Sequence, residues 1–199
     1  DSQIDIERFR ISSIEPNLLN DKIIEFCFQS KKFMPHFHIP LQSGSNKMLK
    51  SMKRRYNSQE YSDRLNKIKS LDQDACIGVD VIVGYPSESE RDFIETYNFL
   101  KNHDVSYLHV FTYSERENTK AIKLEPVVPY EERARRSKIL RELSDQKRDH
   151  FYERSVGQIR PVLVEKSKNG ILFGYTDNYI KTRIQGHISL ENTIQNVFI

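Results

Sequence analysis

The sequence predicts an α/β fold, a partial (β/α) barrel followed by a small all-β domain. Three observations point to it. Strand-like and helix-like stretches alternate over about the first 125 of the 199 residues, the pattern of a parallel sheet with helical crossovers. Each strand-like stretch has one apolar face and one face with polar or aromatic groups, whereas an open sheet covered on both sides would be apolar on both. A barrel with helices outside and a ligand cavity inside explains that asymmetry better. After a long charged helix, the chain turns to short apolar runs broken by turn residues.

The elements follow in order. Arg8 to Ile14 reads as a strand ended by Pro16 and Asn17. Leu18 to Gln29 carries Leu19, Ile23, Ile24, Cys27 and Phe28 at helical spacing. His36 to Gln42 is a second strand and Asn46 to Met52 a short helix. Ser58 caps a longer helix with Glu60 early in it and Tyr61, Leu65 and Ile68 on one face. Ile77 to Gly84, rich in Val and Ile, is the third strand. Ser87 or Ser89 caps the next helix, which opens on acidic residues and aligns Phe93, Ile94, Tyr97 and Leu100. Tyr107 to Tyr113 is the fourth strand. Pro126 and Pro129 punctuate a linker, Glu131 to Ser155 is a long charged helix, and Gly157 ends it. Strands at 159–165, 171–175 and 179–184 are joined by turns at Asn169-Gly170 and Asp177-Asn178, the first a strong hairpin signal. The expected division is therefore a barrel portion at 1–128, a connecting helix at 129–156 and a β-domain at 157–199.

Composition narrows the function classes. The 37% hydrophobic and 11% aromatic residues exclude a wholly disordered chain. No apolar run reaches the roughly 18 residues of a membrane span, and the opening DSQIDIERFR lacks a signal-peptide core. A net charge of +3 permits an RNA partner without requiring one, and residues 157–199 carry five Lys+Arg against three acidic residues. Two cysteines, Cys27 and Cys76, cannot supply a four-cysteine zinc site or the three thiolates of a site-open iron–sulfur cluster. Their apolar surroundings suit buried free thiols of a cytosolic protein, so the expected location is cytoplasmic.

Strand alternation sorts the candidate residues. Phe37, Ile39 and Leu41 oppose His36, His38, Pro40 and Gln42; Val79, Val81 and Val83 oppose Asp80, Ile82 and Gly84; Leu108 and Val110 oppose His109, Phe111 and Tyr113. Functional groups should gather at the C-terminal strand ends: Glu15, 42–45, 84–88 and 113–116. Gln42-Ser43-Gly44-Ser45 offers hydroxyls, an amide and exposed N–H groups at a helix entry, suited to a carboxylate or ribose. Gly84 would let a ligand approach closely. His36-Phe37-His38 is the spacing some zinc hydrolases use, with Asp80 and His109 on neighbouring strands, but such pairs also arise as hydrogen-bonded polar cores, and no metal is expected. Tyr175, Asn178 and Tyr179 with Lys181 and Arg183 set aromatics among cations on small strands, as an RNA surface does.

Four strings, RISSIEP (10–16), HFHIPLQSGSNKMLKSMKRRY (36–56), IGVDVIVGYPSESERDF (77–93) and YLHVFTYSERENTKA (107–121), taken together resemble the C-terminal half of a radical S-adenosylmethionine (SAM) tRNA methylthiotransferase. VLVEKSKNGILFGYTDNYIKTRI (162–184) resembles the RNA-binding TRAM domain that ends such proteins. The SSIEP and LHVF strings are similar to the branch acting on threonylcarbamoyladenosine, rather than to the isopentenyladenosine or ribosomal-protein branches. The resemblance implies methylthiolation at C2 of N6-threonylcarbamoyladenosine at tRNA position 37, using SAM and two [4Fe–4S] clusters. The cluster cysteines would lie in missing N-terminal domains of the same polypeptide, which leaves this chain inactive by itself. It further implies SAM contacts from Ser13, Glu15, Gln42, Ser43, Ser45, Asp80, Gly84, Tyr85, Phe111 and Tyr113, and tRNA contacts from Arg116 together with the C-terminal tyrosines and cations. Arg54 and Tyr56 fit a structural M-x-R-x-Y pattern. Two departures stand out: Ser87-Glu88-Ser89 where Gly-Glu-Thr is usual, and Glu117-Asn118-Thr119 where Pro-Gly-Thr is usual. Two readings from other classes remain alternatives, a metal-dependent barrel hydrolase using His36, His38 and Asp80, and a non-catalytic RNA-binding module.

Overall fold

Why the inner and outer faces of the strands differ is visible in the computed structural model, which describes residues 5–199; the first four residues of the opening segment lie outside that range. Strands β1 (Phe9–Ile11), β2 (Phe33–His38), β3 (Cys76–Val83) and β4 (Tyr107–Thr112) form a parallel sheet in sequential order. Helices α1 (Asp21–Gln29), α3 (Ser58–Leu71) and α4 (Glu90–Asn102) cross between them, and the short α2 (Asn46–Ser51) follows β2. Phe37, Ile39, Leu41, Val79, Val81 and Val83 are buried in one cluster with Tyr61, Leu65, Ile68 and Leu100. The opposite face carries His38, Asp80, His109 and the half-exposed Phe111. The alternation read from the sequence is thus the division between helix-covered core and inner face.

Boundaries moved for local reasons. β2 begins at Phe33 although Pro35 lies within it, because the pairing with β1 is irregular between Phe9 and Ile11 and so accommodates the missing N–H. It ends at His38, and the chain then stays beside β3 through Leu41 N–H and Gln42 N–H donating to the Asp80 carbonyl (3.1 and 2.8 Å). Asn57, not Ser58, caps α3: its side chain accepts from Glu60 N–H while Glu60 accepts from Asn57 N–H, a reciprocal pair. Ser89 rather than Ser87 caps α4, with Asp92 closing the same arrangement.

The long helix α5 (Tyr130–Glu153) runs along β4. Its Ser144 hydroxyl accepts from Leu108 N–H (2.8 Å) and donates to Leu108 C=O (3.1 Å), satisfying backbone groups on the strand's outer edge. A second sheet follows, antiparallel, of β5 (Ile159–Lys168), β6 (Ile171–Thr176), β7 (Lys181–Gln185) and β8 (Ile194–Phe198), in the order β7-β6-β5-β8. Asn169 and Gly170 both take positive φ (53° and 75°), as the tight β5–β6 hairpin requires. β8 is absent from the sequence reading; its apolar residues Ile194, Val197 and Phe198 do not alternate, and the segment gains its strand character by pairing with β5.

Candidate functional site

The chain leaves β2 through a left-handed turn: Gln42 has φ +68° and is nearly buried, and its C=O accepts from Ile82 N–H (2.9 Å) on β3. The next three residues are tied to α4. Ser43 Oγ pairs with Thr96 Oγ1 (3.0 Å), Gly44 N–H donates to Thr96 Oγ1 (3.0 Å) and Ser45 Oγ donates to Asp92 Oδ1 (3.0 Å). A Cβ on Gly44 would stand 2.8 Å from both Phe99 Cβ and Thr96 Cα, so only glycine lets the loop lie this close to the helix. Asp92 also accepts from Lys47 Nζ (2.7 Å), Ser89 N–H (2.9 Å) and Ser89 Oγ (2.5 Å). Burial works against its charge, but the hydrogen bonds from Lys47, Ser89 and Ser45 prevail and hold its carboxyl down to about 2.

Gln42 faces a cavity of about 390 Å³ at the C-terminal ends of β3 and β4. Its walls include Tyr85, Phe111, Tyr113, Ser114, Arg116 and Thr119, with Tyr85 and Tyr113 edge to face at 5.4 Å. Gln42, Tyr85, Phe111, Tyr113 and Arg116 therefore come together: four of the implied SAM contacts, with Arg116, assigned to RNA, joining them. The cavity suits a flat heterocycle with an attached anionic group: aromatic walls for a ring, an amide and hydroxyls for its edge, and one guanidinium for the charge.

Six expected members do not line it. Ser43 and Ser45 have no exposed surface, and their hydroxyls belong to α4, so this string shapes the cavity only through the Gln42 turn. Glu15 pairs with Arg54 (2.8 Å), Ser13 lies in the exposed segment after β1, and Asp80 is held by two histidines lower on the inner face. Gly84 does take positive φ (+74°), but the space beside it belongs to Arg133, whose Cγ would be 2.3 Å from an added Cβ. Arg133 is the residue the sequence reading missed: buried on α5, it donates to the Tyr113 carbonyl (3.0 Å), the Val128 carbonyl (2.8 Å) and Glu115 (2.5 Å), fixing one cavity wall. A basic residue in a charged helix gives no sequence signal for that duty.

The expected RNA surface divides in two. Lys181 and Arg183 are exposed and line an open groove of about 580 Å³ with Tyr152 and Phe198, between α5 and the antiparallel sheet. Tyr175, Tyr179 and Asn178 instead dock that sheet on the parallel one. Tyr179 stacks between Tyr175 (4.7 Å) and His36 (4.2 Å), with Arg10 over its ring at 4.5 Å, and Asn178 Nδ2 donates to the Asp74 carbonyl (3.0 Å). His36, drawn into this stack and bonded to Tyr107 Oη (3.0 Å), is pushed down to about 3 by burial and then by Arg10, His38 and His109.

On the inner face, His38 Nε2 lies 2.7 Å and His109 Nδ1 3.2 Å from Asp80 Oδ1. His38 Nδ1–H donates to the Ser12 carbonyl (2.8 Å). Cys27 and Cys76 are both buried, with thiols pushed up by burial, Cys76 to about 12; two such thiols do not fit a cubane iron–sulfur cluster. Among the described residues, no helix is long and apolar enough to cross a membrane.

Comparison with known proteins agrees with this layout. Residues 3–100 match the radical SAM superfamily. The chain is 43% identical to the threonylcarbamoyladenosine tRNA methylthiotransferase of Bacillus subtilis, covering 91% of this chain and 41% of that protein. It is 42% identical to the same-named enzyme of Aquifex aeolicus (92% and 43%) and 35% to the tRNA-2-methylthio-N(6)-dimethylallyladenosine synthase of Endomicrobium trichonymphae (91% and 43%). The chain spans less than half the length of these relatives. Coproporphyrinogen III oxidase of Escherichia coli, a radical SAM enzyme, shares the fold over 70% of this chain and 32% of its own, with TM-score 0.59 and 14% identity. This chain is a radical SAM fragment homologous to the threonylcarbamoyladenosine tRNA methylthiotransferases.

Proposed function

We propose that these residues serve a radical SAM methylthiotransferase that adds a methylthio group to C2 of N6-threonylcarbamoyladenosine at position 37 of tRNA. One observation carries the reading: similarity to enzymes of that name runs over 91% of the chain and so through both sheets. The cavity at the ends of β3 and β4 supports it, since its residues fit SAM. Tyr85, Phe111 and Tyr113 would hold the adenine, Gln42 and Ser114 its polar edge, and Arg116 the methionyl carboxylate. Bound there, SAM supplies the radical and methyl chemistry of the superfamily. The chain's own part is to position the cofactor, exclude water from the aromatic slot and present tRNA to it.

The antiparallel sheet is a TRAM-like RNA-binding unit in this reading, meeting the anticodon arm through Lys181 and Arg183 rather than through the docked tyrosines. The two iron–sulfur clusters need thiolates that residues 1–199 lack, so this chain by itself is inactive and its partner is the cluster-bearing part of the same enzyme. The test is nucleoside mass spectrometry on tRNA from cells lacking their own threonylcarbamoyladenosine methylthiotransferase, supplied with the full reading frame that carries these residues. A methylthio group on threonylcarbamoyladenosine is expected. A methylthio group on dimethylallyladenosine instead would move the chain to that branch.

A further inference from the structure

We infer that His38, Asp80 and His109 form a three-ligand site for a divalent transition-metal ion on the inner face of the parallel sheet, separate from any iron–sulfur cluster. One residue comes from each of β2, β3 and β4, and strand pairing fixes their positions: His38 stands opposite Gly78, and Asp80 stands opposite His109. One donor atom from each lies within 4.8 Å of the other two. Ligands about 2.0–2.2 Å from a metal stand about 2.9–3.5 Å apart around it. The Nε2–Oδ1 separation of 2.7 Å and the Nδ1–Oδ1 separation of 3.2 Å are already close to that, so small side-chain rotations admit an ion.

The surroundings are those of a ligand set. The Ser12 carbonyl can only accept, so His38 carries its proton on Nδ1 there and directs Nε2 at the site. A metal-binding histidine is commonly oriented in this way, by giving its other N–H to a backbone carbonyl. Asp80 Oδ1 lies within reach of both imidazoles and, among the described residues, has no cationic Lys or Arg partner that would compete with an ion. The side chains are 17%, 18% and 51% exposed in the order His38, Asp80, His109, so the site is walled by the sheet and open on its inner side, leaving coordination positions for water or an anion. Two imidazoles and a carboxylate favour Zn²⁺, Fe²⁺ or Co²⁺ over Mg²⁺ or Ca²⁺. His36, the other half of the His-x-His pair, takes no part: it is stacked on Tyr179.

The test titrates the full chain, stripped with chelator, with Co²⁺ followed by its visible bands and with Zn²⁺ followed by calorimetry. One equivalent of either ion is expected, with affinity at least about tenfold weaker in His109→Ala and Asp80→Asn and unchanged in His36→Gln. Circular dichroism checks each variant's fold, and His109→Ala, at a half-exposed position, keeps the test decisive if Asp80→Asn does not fold. Absence of saturable binding by the unsubstituted chain, retention of affinity in His109→Ala, or equal loss in a folded His36→Gln would overturn the assignment.

Discussion

Replacing Asp92 with Asn removes the charge that ties the Gln42–Ser45 turn to α4. Its carboxylate accepts from Lys47 Nζ, Ser89 N–H, Ser89 Oγ and Ser45 Oγ at 2.5–3.0 Å. Asparagine offers one acceptor oxygen and turns an N–H toward donors that had an oxygen before. The carboxyl is lowered from an ordinary 3.8 to about 2, which corresponds to about 2 kcal/mol of stability near neutral pH. The folded value lies below the unfolded one, so this stability is full above 3.8 and is lost as pH falls toward 2. Urea unfolding near pH 7 should therefore show Asp92→Asn less stable by about 2–3 kcal/mol, and the gap should shrink by about half near pH 3. A gap below about 0.5 kcal/mol, or one that does not change with pH, would refute the reasoning.

Other outcomes follow from single contacts. His36 is held down to about 3, so the unfolded chain takes its proton first and stability falls as pH drops below 6.5; about 2 kcal/mol should go between roughly pH 7 and pH 5. His36→Phe should lose about that much less over the same interval in urea titrations, and equal losses would refute the assignment. Gly84→Ala places a Cβ 2.3 Å from Arg133 Cγ at φ +74°, and should cost about 2–3 kcal/mol in chemical unfolding; an unchanged midpoint would show that Arg133 yields freely. Incubated with iron and sulfide, the chain should show no cubane cluster absorbance, because both its thiols are buried; a stable cluster would sink the division of labour proposed above.

The fold was largely legible because its strands are two-faced. Phe37, Ile39 and Leu41 against His36, His38 and Gln42 mark a core side and an inner side by alternation alone. The strand-end rule pointed to Gln42, Tyr85, Tyr113 and Arg116, which meet at one cavity with Phe111 of β4. What stayed hidden depends on long-range partners. Ser43 and Ser45 look like ligand donors until Thr96 and Asp92, some fifty residues on, claim their hydroxyls. Tyr175, Tyr179 and Asn178 look like an RNA surface because nothing local reveals that His36, Arg10 and Asp74 wait for them across the chain. The His-x-His pair was visible, but one strand position sends His36 to an aromatic stack and the other sends His38 to Asp80. β8 was missed because Ile194, Val197 and Phe198 follow no strand alternation and its strand state comes from β5.

The most direct test of the central claim is the nucleoside profile of tRNA from methylthiotransferase-deficient cells that express the full reading frame carrying residues 1–199. The account predicts 2-methylthio-N6-threonylcarbamoyladenosine, reduced when Arg116→Ala or Tyr113→Ala opens the cavity wall at the end of β4. A profile in which threonylcarbamoyladenosine stays unmodified, or in which cavity substitutions leave the product level unchanged, would contradict it.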